Sequence, residues 1–444
     1  NAELLYRPRW IGSSIRSAIK TFPVVVISGA RQVGKSTFLQ NEFPDYKYVS
    51  LDDFSVLQQA KSDPSSLWIG TERVILDEAQ KAPEIFSAIK LSVDKTQRKI
   101  RFLISGSSNL LLMKGISETL AGRAVYFEML PMSFSEMYGK DKTPQNFFNL
   151  LDPDYEIKEQ ELSDIDPLPF IIKGFMPPLI NLQNRNDVIL WWEGYVKTYL
   201  ERDLRELSQV ESLIDFRRVL ESTAIRTGNL LNQTEISRDT GVSQPTVYRY
   251  LKLLEVSNII QRIPAYYSSR SKRVIKSPKL FFVDPGLSIY LSGYHDENSL
   301  AKSRELGSFF ETAIFLHLKI LSELLIPKAS IFYWRTTTAK EVDFVIEQGK
   351  KLVALEVKFS KKPVVNDIKN LLTFLEENPQ TIRGVLLHAG SSVKWLHSKV
   401  LAVARNYSTM FFTRCISAGK KLPFGFEKKN LCFERKVCSW TDRC

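Results

Sequence analysis

The segment that most constrains this chain is Gly29-Ala30-Arg31-Gln32-Val33-Gly34-Lys35-Ser36-Thr37. It directly follows an apolar run, Val24–Ser28, and opens a helical stretch, Ser36–Asn41. Glycines at Gly29 and Gly34 let the backbone curl so that its N–H groups converge on phosphate oxygens, and the helix N-terminus adds the positive end of its dipole. A strand, this loop and a helix form the first unit of an open parallel sheet. The next stretches agree. Tyr46–Leu51, Val74–Leu76, Ile100–Ser105 and Ala124–Phe127 read as strands with helical patterns between them. Such alternation predicts a parallel sheet covered on both faces.

The same loop names its ligands. Lys35 reaches the β- and γ-phosphates, Ser36 offers its hydroxyl to Mg²⁺, and Arg31 and Thr37 flank the phosphates. Arg73–Leu76 ends in Asp77-Glu78. At a strand tip beside a P-loop, such an aspartate holds the Mg²⁺ shell and the glutamate orients the attacking water. Ser105, at the tip of the next strand, is a candidate for sensing the γ-phosphate. Arg123 is a candidate for acting on phosphate in cis or in trans, which admits a homo-oligomer; a plain salt bridge is the alternative.

Between residues 211 and 280 the pattern changes. Thr234–Thr240 reads as a short helix capped by Thr234, Gly241–Ser243 as a turn, and Gln244–Glu255 as a longer helix capped by Ser243. Val247, Leu251 and Leu254 would face a core, while Gln244, Thr246, Tyr248 and Arg249 project outward. Helix, three-residue turn and second helix make a helix-turn-helix. Ile259–Ile263 and Val274–Lys276 read as strands flanking a wing that carries Arg270, Lys272 and Arg273. Residues 241–280 hold eight lysines and arginines against one acid, Glu255, in a chain of net charge +12. Clustered cations of this kind favour a phosphate backbone, so DNA is the expected partner. A winged helix that binds protein is the alternative.

Glu341–Glu347 and Leu352–Lys358 read as a hairpin turning at Gly349-Lys350, as in a type II′ turn. Asp343 then falls opposite Glu356, and Glu341 opposite Lys358. Opposed like charges destabilise a hairpin unless a cation lies between them. Asp343 and Glu356 are therefore candidate metal ligands, and Lys358 a candidate catalytic cation. The alternative is a surface hairpin with a Glu341–Lys358 ion pair.

GARQVGKST, LDEAQ, SGSSN, AGR, PMSFSEM, YLERDL, EVDFVIE and LEVK together resemble a prokaryotic family of AAA+-type ATPases that carry a C-terminal domain of unknown function. The resemblance spans residues 8–415 and implies ATP with Mg²⁺ and a regulatory or DNA-related role. The Asp343, Glu356-x-Lys358 pattern resembles the PD-(D/E)XK nuclease superfamily, which implies Glu311, on a preceding helix, as a further metal ligand. No proline precedes Asp343.

The expected architecture is multi-domain α/β. It comprises a P-loop ATPase module (1–140), a connector and helical lid (141–210), a winged helix-turn-helix (211–280), a PD-(D/E)XK-like mixed α/β domain (281–415) and a basic tail (416–444). Composition fits, with 44% hydrophobic and 25% charged residues, which excludes a disordered or collagen-like chain. No run approaches the ~18 apolar residues of a membrane helix, and no secretory h-region is recognisable. Cys415, Cys432, Cys438 and Cys444 all lie in the last thirty residues, so no disulfide scaffold is expected and the cytoplasm is the expected location.

Overall fold

A computed structural model describes residues 6–106, 119–138, 144–161, 166–203, 212–269, 273 and 277–404. Its first sheet contains β1 (Val24–Ser28), β2 (Lys47–Ser50), β3 (Arg73–Asp77), β4 (Arg101–Gly106) and β5 (Ala124–Glu128). All pairings are parallel, in the order β2-β3-β4-β1-β5. Every residue of β1 is buried, as helices on both faces require. Val24 and Val26 face one core with Trp68, Phe86 and Phe102. Val25 and Ile27 face another that runs on into Trp192, Tyr195 and Tyr199 and the helix-turn-helix.

The helix-turn-helix is built as Gln233–Thr240, a turn at Gly241 (φ +71°), and Gln244–Val256. The cap of the first helix is Asn232, whose side chain accepts from the Glu235 N–H, rather than Thr234. Ser243 holds the cap position of the second helix, but its hydroxyl donates to Thr246 Oγ1. Val247, Tyr250, Leu251 and Leu254 are buried. β7 (Ile260–Ile263) pairs antiparallel with β8 (Lys279–Phe282). The wing's second strand thus lies later than Val274–Lys276, because Leu280 and Phe282 supply apolar side chains that the earlier run lacks. Residues 274–276 lie outside the described residues.

The second sheet is mixed, with order β6-β13-β14-β12-β11-β10-β9. Its strands are β6 (Gln160–Glu161), β9 (Ser330–Arg335), β10 (Glu341–Gln348), β11 (Lys351–Lys358), β12 (Arg383–His388), β13 (Ser392–His397) and β14 (Val400–Ala404). β6 comes from the segment read as a connector. It pairs with Ser392 and Val393, and Asp152 O accepts from Arg383. The polar, proline-rich composition of this segment reflects an edge strand and its approach, not a free linker.

Residues up to Thr413 form one compact unit. One core joins Trp10, Phe134 and Phe147 to Phe315, Phe344 and Leu387. A polar contact crosses the same boundary. His317, on the helix Leu306–Glu323, accepts the Phe134 N–H at Nε2 (2.9 Å), while Nδ1 lies 2.6 Å from the Ala313 carbonyl, to which it donates. Burial pulls the His317 pKa down to about 4. The unfolded chain takes up this proton near pH 6.5, whereas the folded one does not. Stability from this group is therefore full above pH 6.5 and falls as pH drops toward 4, by up to about 1.4 kcal/mol per pH unit. His317→Gln is expected to flatten that part of the melting-temperature curve. Identical slopes in the two proteins would show that His317 does not carry it.

Candidate functional site

The P-loop leaves the C-terminal edge of β1. Gly29 has φ +150°, and a Cβ there would lie 2.2 Å from the Met129 carbonyl oxygen, so no side chain fits. Gly34 takes the left-handed conformation (φ +88°) immediately before the helix Lys35–Glu42. Lys35 is buried, and its ammonium donates to Gly29 O and Ala30 O, both at 2.9 Å. Burial lowers its pKa to about 8, against the raising charges of Glu78 and Asp77. Lys35, Ser36, Thr37, Arg31 and Glu78 line one cavity of about 630 Å³.

Asp77, at the tip of β3, is almost fully buried. Tyr48 donates to its Oδ2 (2.5 Å), Ser105 donates to its Oδ1, and the Glu78 N–H lies 3.2 Å from Oδ1. Tyr48 also interacts with Ser36, and its hydrogen bond to the Asp77 carboxylate adds to burial in raising its pKa. The reading of the sequence missed Tyr48. No motif marks it; only the β2–β3 pairing brings it to Asp77. Ser105 corrects an expectation. Fully buried and committed to Asp77, it orients that carboxylate instead of sensing phosphate. Glu78 has φ +56° and ψ 38°, a left-handed backbone that is rare for a glutamate, and accepts from Gln80 Nε2.

Arg123 is a second correction. It precedes Ala124, which pairs with Val24 at the start of β1, whereas the P-loop follows Ser28 at the other end. Its guanidinium makes two 2.9 Å bonds to Asp94. Arg123 therefore does not reach the phosphate site of its own chain. Arg31 lies over the Tyr199 ring, 5.5 Å from the centroid.

One edge of the cavity is formed by Pro177, Pro178 and Ile180. Pro177 lies 3.5 Å from where a Cβ on Gly34 would sit. The segment leading to it is held by buried Asp284, which accepts from Phe175 N (2.8 Å) and Gly286 N (2.8 Å). Asp284 also caps the helix Pro285–Leu291. An Asp before a proline at the first helical position was a legible cap signal; its second partner, across 109 residues, was not.

Of the expected DNA contacts, Gln244 and Arg249 are exposed and Thr246 is half-buried. The Gln244 amide donates to Thr234 Oγ1 at 2.7 Å. Arg273 does not face outward. It makes a two-bond pair with Glu347 (2.7 and 3.0 Å) and lies over Tyr266 and Phe332. Arg270 and Lys272 lie outside the described residues.

The hairpin has the expected register, with Phe344 opposite Leu355 through Gln348 opposite Lys351, and Gly349 at φ +61°. One step further puts Asp343 opposite Glu356. A bulge in β10 against β9, between Val342 and Val345, turns Asp343 inward. Glu311 joins them from the helix Leu306–Glu323. Lys358 pairs with Glu356 (2.7 Å), not with Glu341. Glu341 and Asp343 instead share Lys279, the first residue of β8. Its ammonium lies 2.5 Å from Glu341, 3.6 Å from Asp343 and 3.6 Å from Glu311. Burial alone would lower the Lys279 pKa; the charges of Glu311, Asp343 and Glu341 hold it above its ordinary value. Burial, then the Asp343 charge, pushes Glu311 and Glu356 up to about 8.

As folded, this cluster does not fit a divalent ion, because a lysine already occupies its centre. Among the described residues no group of three or more His, Cys, Asp or Glu could hold a metal. At the P-loop the donors do fit Mg²⁺ with a nucleotide: the Ser36 hydroxyl and a buried, oriented Asp77 carboxylate converge beside the Lys35 ammonium.

Comparison with known proteins agrees with a P-loop ATPase module. Residues 21–138 match the AAA domain family. Residues 169–298 and 306–406 match two domains of unknown function, DUF8612 and DUF4143. An uncharacterised protein of Mycobacterium tuberculosis is 28% identical over 365 residues, 82% of this chain and 76% of that one. An uncharacterised protein of Methanocaldococcus jannaschii is 23% identical over 399 residues, 83% of this chain and 82% of that one. A Walker-type ATPase of Pyrococcus abyssi superposes with a TM-score of 0.41 at 15% identity, covering 65% of this chain and 99% of that one. At that score the likeness decides nothing further. Among the described residues no helix is long and apolar enough to cross a membrane.

Proposed function

We propose that this chain binds and hydrolyses Mg²⁺-ATP at the P-loop and binds duplex DNA through its helix-turn-helix. The observation that carries the first part is the convergence of Lys35, Ser36 and Glu78 on one cavity, beside a buried Asp77. Mg²⁺-ATP would supply a phosphoryl group already polarised by a divalent charge. Lys35 holds the β- and γ-phosphate oxygens as a point charge, exchanging its bonds to Gly29 O and Ala30 O for stronger ones. Ser36 and Asp77 hold the metal, with Tyr48 and Ser105 fixing the Asp77 carboxylate. Glu78 orients water, and its left-handed backbone aims the side chain off the strand tip into the cavity. The prolines at 177 and 178 exclude solvent from one edge. A reducing, cytoplasmic setting belongs to the same reading.

The DNA part is supported by the exposed face of Gln244–Val256, with Gln244, Tyr248 and Arg249 in a row of solvent-facing positions. The internal cations count against a strong non-specific grip, since Arg273 and Lys279 are committed within the fold. Arg249→Ala is expected to weaken duplex binding and reduce the slope of log K against log salt by roughly 0.9, one phosphate contact. Arg273→Ala is expected to leave that slope unchanged while lowering the melting temperature. Wild-type protein showing no salt-dependent affinity for duplex would favour the other reading, a winged helix that binds protein.

A further inference from the structure

Four carboxylates meet in the C-terminal domain, on three elements. Glu341 and Asp343 come from β10, Glu356 from β11 and Glu311 from the helix Leu306–Glu323. Burying like charges together is costly unless cations stand between them. The cation at Glu341, Asp343 and Glu311 is Lys279, 3% exposed. It comes from neither strand of the hairpin but from the winged helix, where Lys279 opens β8 and pairs across to Ile263. Two carboxylate oxygens remain without a hydrogen bond: Glu311 Oε2 and Glu356 Oε2, both shielded from solvent. Glu356 is itself 3% exposed, and its other oxygen takes Lys358. The donor set is thus richer in oxygen than one ammonium can satisfy. Four carboxylates of this kind suit a hard divalent cation.

We propose that Lys279 is a built-in substitute for a divalent cation, so that Glu311, Asp343 and Glu356 form a latent metal site which the winged helix keeps filled. An ammonium and a divalent ion cannot share the centre, because the cation repulsion is unscreened at this burial. The site therefore takes metal only where Lys279 is absent or withdrawn. This inference is independent of ATP turnover and of DNA binding.

The test uses the full chain without nucleotide, in a Lys35→Ala background so that the P-loop holds no Mn²⁺. Mn²⁺ binding is read by electron paramagnetic resonance and by melting temperature. The Lys35→Ala protein alone is expected to bind no Mn²⁺ and to melt at the same temperature with and without it. Adding Lys279→Met is expected to lower the melting temperature and to create one Mn²⁺ site. Mn²⁺ then restores stability as RT ln(1 + [Mn²⁺]/Kd). Adding Asp343→Asn to Lys279→Met is expected to abolish that site. Stoichiometric Mn²⁺ binding with Lys279 in place, lost in Asp343→Asn, overturns the proposal, as does a folded Lys279→Met protein that binds none. Should Lys279→Met fail to fold, Lys279→Met with Glu341→Gln removes one charge of each sign and serves the same test. Failure of both to fold even with Mn²⁺ also overturns it, because a latent divalent site would replace the lost charge.

Discussion

Glu78→Gln is expected to leave Mg²⁺-ATP binding intact while steady-state hydrolysis falls by about 10²–10⁴-fold, the usual contribution of a group that directs a proton or a water. The amide keeps the size of the side chain and its contact with Gln80, but gives up the charge that draws a proton from water. Lys35→Ala should behave differently. It removes the point charge on the phosphates, so nucleotide binding itself is lost. Equilibrium binding of a fluorescent ATP analogue, read beside phosphate release, separates the two. Unchanged turnover in Glu78→Gln would move the water-orienting role to another carboxylate at the cavity, with Asp52 the first to examine.

The second large effect lies outside the phosphate site. A Cβ on Gly286 would lie 2.6 Å from Gly174 Cα and 2.7 Å from Gly174 N. Both neighbours are backbone, so no side chain can swing aside. Gly286→Ala must push apart the helix Pro285–Leu291 and the segment that leads to Pro177. Overpacking of this kind costs about 3 kcal/mol or more when backbone is the obstacle. The same displacement would break the Asp284 bonds to Phe175 and Gly286 and pull the prolines from the cavity edge. A melting temperature lowered by several degrees and weakened ATP binding are both expected. A Gly286→Ala protein with wild-type stability would mean that the two backbones are not in contact. Stability lost with ATP affinity unchanged would uncouple the proline edge from nucleotide binding.

Local chemistry was enough for some of the molecule. Gly29, Gly34 and Lys35 report a backbone path and a charge that nine consecutive residues define by themselves. Asp77-Glu78 reports a strand tip, and alternation from Val24 to Phe127 reports a parallel sheet. The hairpin register at Gly349 was legible because a two-residue turn leaves only one pairing, and the helix-turn-helix because caps, turn and apolar spacing are all local.

Partners far apart in the chain were decided by tertiary structure. Lys279 looks like one more cation of a basic wing, yet β7–β8 pairing delivers it to carboxylates as many as 64 residues away. Arg273 is read the same way and is claimed by Glu347. Composition counts charge, but burial decides whether a charge faces solvent or an internal partner. The segment near Gln160 is polar because one side of an edge strand stays wet, which sequence alone does not distinguish from a linker. Tyr48, Ser105 and Asp77 form one unit only because β3 lies between β2 and β4. Sequence therefore determined the elements and the phosphate loop, whose reasons are local. The fold decided which charges meet, because strand order and burial depend on the whole chain.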